Sequence, residues 1–182
     1  MNTRVKSKEG ECLTYLGLGS NLGDREKNLL LAVRKIGGSC TLLRHSSIYM
    51  TSPVGYTDQP DFLNMVVEVD SHGIDPYRLL DFVKGIEREM GRKKTRRWGP
   101  RIIDIDILFM SGKTVVSDTL QIPHREMFNR RFVLIPLSEI TRTLPGYDKP
   151  IRATGDSLEA EGEDDKVLLY RPGKELNLHA GV

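Results

Sequence analysis

FLNMVVEVDSHGIDPYRLLDFVKGIEREMGRKKTRRWGPRIIDIDILF, residues 62–109, reads as a strand, a helix and a second strand. Residues 62–70 have the apolar, β-branched composition of a buried strand. Asp75 can cap a helix that Pro76 opens at its first position. Leu79, Phe82, Val83, Ile86 and Met90 then recur at helical spacing and give that helix one apolar stripe. After a basic loop, residues 102–109 alternate Ile with Asp and form the closing strand. Working outward, the residues upstream repeat the arrangement. CLTYLGLG at 12–19 is a strand and Ser20 to Asp24 a turn. Asp24 caps a helix whose Leu29, Ala32, Val33 and Ile36 fall at i, i+3, i+4 and i+7, and Gly37-Gly38 ends it. A strand fits 41–49. The order is β-α-β-β-α-β, an α+β class with the ferredoxin-like split βαβ arrangement. Extra short strands around 113–122 and a C-terminal helix over about 124–139 extend it.

The working domain is expected over 12–141, after a flexible N-terminal segment at 1–11. Residues 142–182 form an acidic, Gly/Pro-containing extension, in which VLLY at 167–170 has strand composition. A chain of 182 residues, 38% hydrophobic and 29% charged, suits one domain with tails. The apolar runs are too short to span a bilayer, and the first residues, MNTRVKSKEGE, lead into no apolar signal segment. Cys12 and Cys40, without C-x-x-C spacing, read as reduced thiols of a cytoplasmic protein.

The net charge of +2 hides two opposite runs. Six acidic and no basic residues lie between Asp156 and Asp165, in a stretch with almost nothing to bury. Six basic and no acidic residues lie between Arg92 and Arg101, with Trp98 and a Gly-Pro turn inside the run. GLGSNLG at 17–23 is spaced one residue too long for a dinucleotide fingerprint, and no acid follows between Glu26 and Asp58 to hold a ribose. A Walker-type lysine loop is absent as well. In RIIDIDIL, strand alternation puts Asp104 and Asp106 on one face, with Cα atoms about 6.5–7 Å apart, while Ile103, Ile105 and Ile107 turn to the core. Two carboxylates so placed repel unless a cation lies between them, and oxygen donors of this kind suit Mg²⁺. Carboxylates for metal beside arginines for phosphate are what phosphoryl transfer needs.

RWGPRIIDIDIL, residues 97–108, resembles the signature of the hydroxymethyldihydropterin pyrophosphokinase family. GLGSNLGD, TSPVGYTDQPDFLN and PHREMFNRRFVLIPLSEI fit the same family in the same order, over roughly residues 13–140. The resemblance implies transfer of pyrophosphate from ATP to hydroxymethyldihydropterin, giving AMP and the pterin pyrophosphate ester, in tetrahydrofolate synthesis. It implies two Mg²⁺ ions bound with ATP and held by Asp104 and Asp106. Arg92 and Arg101 are then phosphate contacts that stabilise charge as the bond breaks. Glu87, Ile107, His124 and Arg130 are implied around the nucleotide. Phe62 and Phe132 would sandwich the pterin, Asn64 would read its edge, and Thr51 and Val54 would offer backbone groups. Trp98 resembles a lid residue. Many relatives carry proline where Ser52 stands and some carry tyrosine at Phe62. The basic loop is one residue shorter than in some relatives, which leaves the matching of Lys93 to Arg97 open.

The rival reading is a nucleic-acid-binding sheet, for which RKKTRRW could track phosphates. Strand aromatics are too sparse for it, and Asp104 and Asp106 would repel RNA unless they carried a metal. The partners expected are therefore the two small substrates, with no nucleic acid, no membrane and no obligate protein partner.

Overall fold

Each central strand divides its side chains between two faces of the sheet, and the two faces have different covers. The computed structural model describes residues 12–93, 99–147, 150–151, 166–176 and 178. Its elements are β1 (Leu13–Ser20), α1 (Arg25–Ile36), β2 (Thr41–His45), β3 (Ile48–Thr51), β4 (Phe62–Asp70), α2 (Pro76–Glu89) and β5 (Asp104–Met110). A small hairpin of β6 (Val115–Val116) and β7 (Gln121–Ile122), a 3₁₀ turn at Met127–Asn129, α3 (Arg131–Ile140) and β8 (Val167–Arg171) complete them, before a last 3₁₀ turn at Gly173–Glu175. The sheet runs β5-β1-β4-β3-β8 and is antiparallel throughout, with β2 also beside β4. This is the ferredoxin-like order expected from the pattern of elements.

On one face Leu16, Leu18, Met65, Val67, Ile105 and Ile107 pack against Leu29 and Val33 of α1 and Leu79 and Val83 of α2. Asp24 and Asp75 cap those helices as their positions require, each accepting backbone N–H groups of the first turn. On the other face Tyr15, Val66 and Leu108 pack against Val133, Leu134 and Leu137 of α3. That helix covers only one end of its face. The end carrying Gly17, Gly19, Asn64, Asp104 and Asp106 stays open and becomes a cleft.

Three expectations need correction. The strand at 41–49 is two strands, because Ser46 turns out of line. Its N–H donates to Val66 O and its Oγ accepts from Val66 N, both at 2.9 Å, and this breaks the ladder. The helix placed at 124–139 starts only at Arg131, since His124 and Glu126 first spend their carbonyls on the tight turn to Asn129. The domain does not stop at 141. β8 pairs with β3, Arg171 pairs with Glu26 of α1, and Ile151, Leu176 and Leu178 are buried. The acidic stretch at 156–165 and the N-terminal segment 1–11 lie outside the described residues. Cys12 and Cys40 are both free thiols, and no helix among the described residues is long and apolar enough to cross a membrane.

Candidate active site

The cleft on the open face has a volume of about 370 Å³. Its floor is β1, where Gly17 and Gly19 present no side chain. Register sets Gly19 between Asn64 on β4 and Asp104 on β5, and Gly17 opposite Asp106. A Cβ on Gly19 would stand 2.7 Å from Asn64 Oδ1, so the glycine leaves room for the amide to lie over the strand. Asn64 Nδ2 donates to Thr51 Oγ1 at 2.7 Å, which fixes the amide plane. Phe62 stands on one side of this floor and Phe132, the second residue of α3, on another. Each ring has a guanidinium over it: Arg101 lies 5.8 Å from the Phe62 centroid and Arg130 lies 5.7 Å from that of Phe132.

The opposite wall is a charge cluster. Asp104 Oδ1 accepts from Arg92 Nη1 at 2.6 Å and Asp104 Oδ2 from Arg101 Nη1 at 2.5 Å. Burial alone would raise the Asp104 carboxyl, but Arg101, Arg92 and Lys84 together outweigh it and hold its pKa below the usual range. Asp106 goes the other way. Burial first, and the Asp104 charge second, push it up to about 6. A half-buried carboxylate two residues from another, raised in this way, is a place where added positive charge is stabilised. The pair thus fits a hard, oxygen-seeking cation such as Mg²⁺.

Glu87 does not line the cleft. It is 3% exposed and accepts at Oε1 from the Ile105 N–H at 2.8 Å, from Lys84 Nζ at 2.8 Å and from Arg92 Nη1 at 2.6 Å. It is a buried anchor that holds Arg92 and ties α2 to β5, which corrects its expected place beside a nucleotide. Lys84, which pattern reading passed over, faces the cleft with its Nζ 3.9 Å from Asp104. Its signal was a lone lysine three residues before Glu87 on a helix whose neighbouring positions are apolar. Asn21 was missed too. Its Nδ2 donates to Gln59 Oε1 and Pro60 O, each at 3.0 Å, and its Oδ1 accepts from the Arg101 N–H at 2.7 Å. One buried amide therefore joins the loop after β3 to the loop before β5.

A second cavity of about 210 Å³ meets the first at Lys84, Asp106 and His124. Its walls include Leu80, Ile107 and Leu120, so Ile107, a core residue by alternation, also borders a cavity. His124 Nδ1 accepts from the Glu126 N–H at 3.2 Å, which assigns the proton of the neutral ring to Nε2. Burial first, and Arg130 second, lower the His124 pKa, so the ring is neutral at pH 7. Of the residues singled out from sequence, Thr51, Val54, Phe62, Asn64, Arg92, Arg101, Asp104, Asp106, His124, Arg130 and Phe132 come together around the first cavity. Trp98 lies outside the described residues, with 94–97.

The family described as 7,8-dihydro-6-hydroxymethylpterin-pyrophosphokinase matches residues 15–142. The 2-amino-4-hydroxy-6-hydroxymethyldihydropteridine pyrophosphokinase of Bacillus subtilis (strain 168) is 38% identical over 170 residues, 92% of this chain and 97% of that protein. The mitochondrial folate synthesis bifunctional protein of Arabidopsis thaliana is 44% identical over 141 residues, which cover 76% of this chain and 25% of that longer one. A crystal structure of wild-type Plasmodium falciparum HPPK-DHPS with pterin and p-hydroxybenzoate superposes with a TM-score of 0.61 at 19% identity. It covers 81% of this chain and 42% of its own, and shares the fold.

Proposed function

The chain belongs to the 7,8-dihydro-6-hydroxymethylpterin-pyrophosphokinase family, and on that premise we propose that its two cavities take the pterin and ATP side by side. The protein transfers a pyrophosphoryl group to hydroxymethyldihydropterin, a step of folate biosynthesis. The observation that carries the assignment of sites is the meeting of unlike walls. Aromatic rings and a fixed amide line one side of the cleft, and three cations and two carboxylates line the other.

The pterin lies over the glycine floor between Phe62 and Phe132, where stacking contributes about 0.5–1.5 kcal/mol beyond burial. Asn64 offers its edge a donor and an acceptor, and Thr51 and Val54 frame the rim. ATP lays its phosphates along Arg92, Arg101, Asp104 and Asp106, with its nucleoside toward Ile107, His124 and Arg130. Mg²⁺ ions, held by Asp104 and Asp106, would neutralise and polarise the phosphates when bound.

The hydroxymethyl oxygen attacks and bonds to the β-phosphorus, the bond from that phosphorus to the oxygen it shares with the α-phosphate breaks, AMP leaves with that oxygen, and the hydroxyl proton passes to solvent. Arg92 and Arg101 release Asp104 and turn to the phosphates, where their charge stabilises the breaking bond. His124, neutral with its proton on Nε2, donates to the nucleotide. No side chain is assigned as general base, and positioning of the two reactants is the main contribution of the protein. Incubation with ATP, Mg²⁺ and hydroxymethyldihydropterin, followed by chromatography or phosphorus NMR, tests this. AMP and a pterin pyrophosphate ester are expected; ADP as the stoichiometric product would overturn it.

A further inference from the structure

We propose that the C-terminal strand β8 is a positioning element for the pterin half of the cleft, acting through Thr51; this rests on the pterin placement above. β8 lies at the edge of the sheet, beyond the residues 15–142 that carry the family match. Val167 stands opposite Thr51 and Leu168 opposite Met50, and Lys166 O accepts from the Ser52 N–H at 3.3 Å. Thr51 in turn is 4% exposed and accepts from Asn64 Nδ2, whose Oδ1 lies over Gly19. A continuous set of contacts therefore leads from β8 to the floor of the cleft.

Without β8, β3 would be a four-residue edge strand running straight into the irregular loop 52–61. Such an edge opens locally at small cost, and Thr51 would lose its fixed place. The segment is held independently at its other end. Arg171 pairs with Glu26, the Gly173 N–H donates to Ser47 Oγ at 2.9 Å, and Leu176 and Leu178 are buried. The strand is thus anchored in the body of the domain and reaches back to brace the cleft rim.

The test separates backbone pairing from side-chain packing. Leu168 is half exposed, so its replacement removes little from the core. Leu168→Pro in the full chain takes an N–H out of β8, whereas Leu168→Thr keeps it. Leu168→Pro should raise KM for the pterin about tenfold while kcat and KM for ATP stay within about twofold, and Leu168→Thr should behave as the parent. If Leu168→Pro fails to fold, Val167→Gly loosens the same rim and carries the same expectation. An unchanged pterin KM in the folded variant, or equal rises for both substrates, would overturn the proposal. The pterin placement is checked separately by equilibrium binding to the parent and to Phe62→Ala. If Phe62→Ala binds the pterin as tightly as the parent, that placement fails, whatever Leu168→Pro does.

Discussion

Asp104 and Asp106 are two residues apart on one strand face, yet their surroundings push them in opposite directions. Asp104 has two arginines on its oxygens, while Asp106 is raised to about 6 by burial and by Asp104 itself. Replacement should separate their structural roles while removing activity from both. Asp106→Asn should lower turnover by at least about 100-fold without loss of stability, since it removes a charge that the metal-free fold tolerates poorly. Asp104→Asn should lower turnover similarly and also destabilise by about 1–3 kcal/mol, because Arg101 loses its carboxylate partner and Arg92 keeps only Glu87. Turnover near the parent's in either variant would remove the pair from the mechanism. Asp106 also sets a pH dependence. Its pKa is higher in the folded chain than the roughly 3.9 of an unfolded aspartate. The proton it binds stabilises the fold fully at low pH, and this stability is lost as pH rises through about 6. In chelator, Asp106→Asn should therefore melt above the parent at pH 7, and the gap should close as pH falls below 6. A gap that widens toward acid would contradict the assignment. Gly19→Ala tests the floor: a Cβ would stand 2.7 Å from Asn64 Oδ1, so pterin affinity should fall about tenfold with little change for ATP.

Elements meet at the site through single buried polar side chains. Glu87 joins α2 to the start of β5, and Asn21 joins the loop after β3 to the loop that carries Arg101. The second junction links the loop leading to Phe62 with the loop that carries Arg101, on opposite walls of the cleft. Asn21→Ala leaves a backbone N–H and two loop carbonyl contacts unmet, so stability should drop by about 1–3 kcal/mol. KM should rise for both substrates together, as each loop loses the anchor it shares with the other. Steady-state kinetics with each substrate varied in turn checks this, and a rise confined to one substrate would show that the loops are positioned separately.

For the whole molecule, the C-terminal residues are part of the fold. Deleting 150–182 removes β8 and the buried side chains of Ile151, Leu176 and Leu178. Three such side chains represent roughly 4–9 kcal/mol of burial, against a total stability on the order of 5–15 kcal/mol. Thermal unfolding of the shortened chain should show a much lower midpoint or no cooperative transition. A shortened chain with an unchanged midpoint would restore the boundary near residue 141.

Local pattern was enough for much of this protein. Period-3.6 stripes gave α1 and α2, period-2 alternation turned Ile105 and Ile107 to the core and both aspartates to the cleft, and Asp24 and Asp75 marked the helix starts. These features depend on residues within one turn or one strand of each other, so a linear reading contains them. The partners of Glu87 and Asn21 do not lie so close. Glu87 bonds the Ile105 N–H eighteen residues on, and Asn21 meets Arg101 across 80. VLLY is too short and too evenly apolar to declare its own place, and became a strand because β3 offered an unpaired edge beside it. Only the folded chain brings such groups within bonding distance. The identity of the chemistry was therefore legible in residues 97–108, whereas what holds that chemistry in position was decided by tertiary contacts.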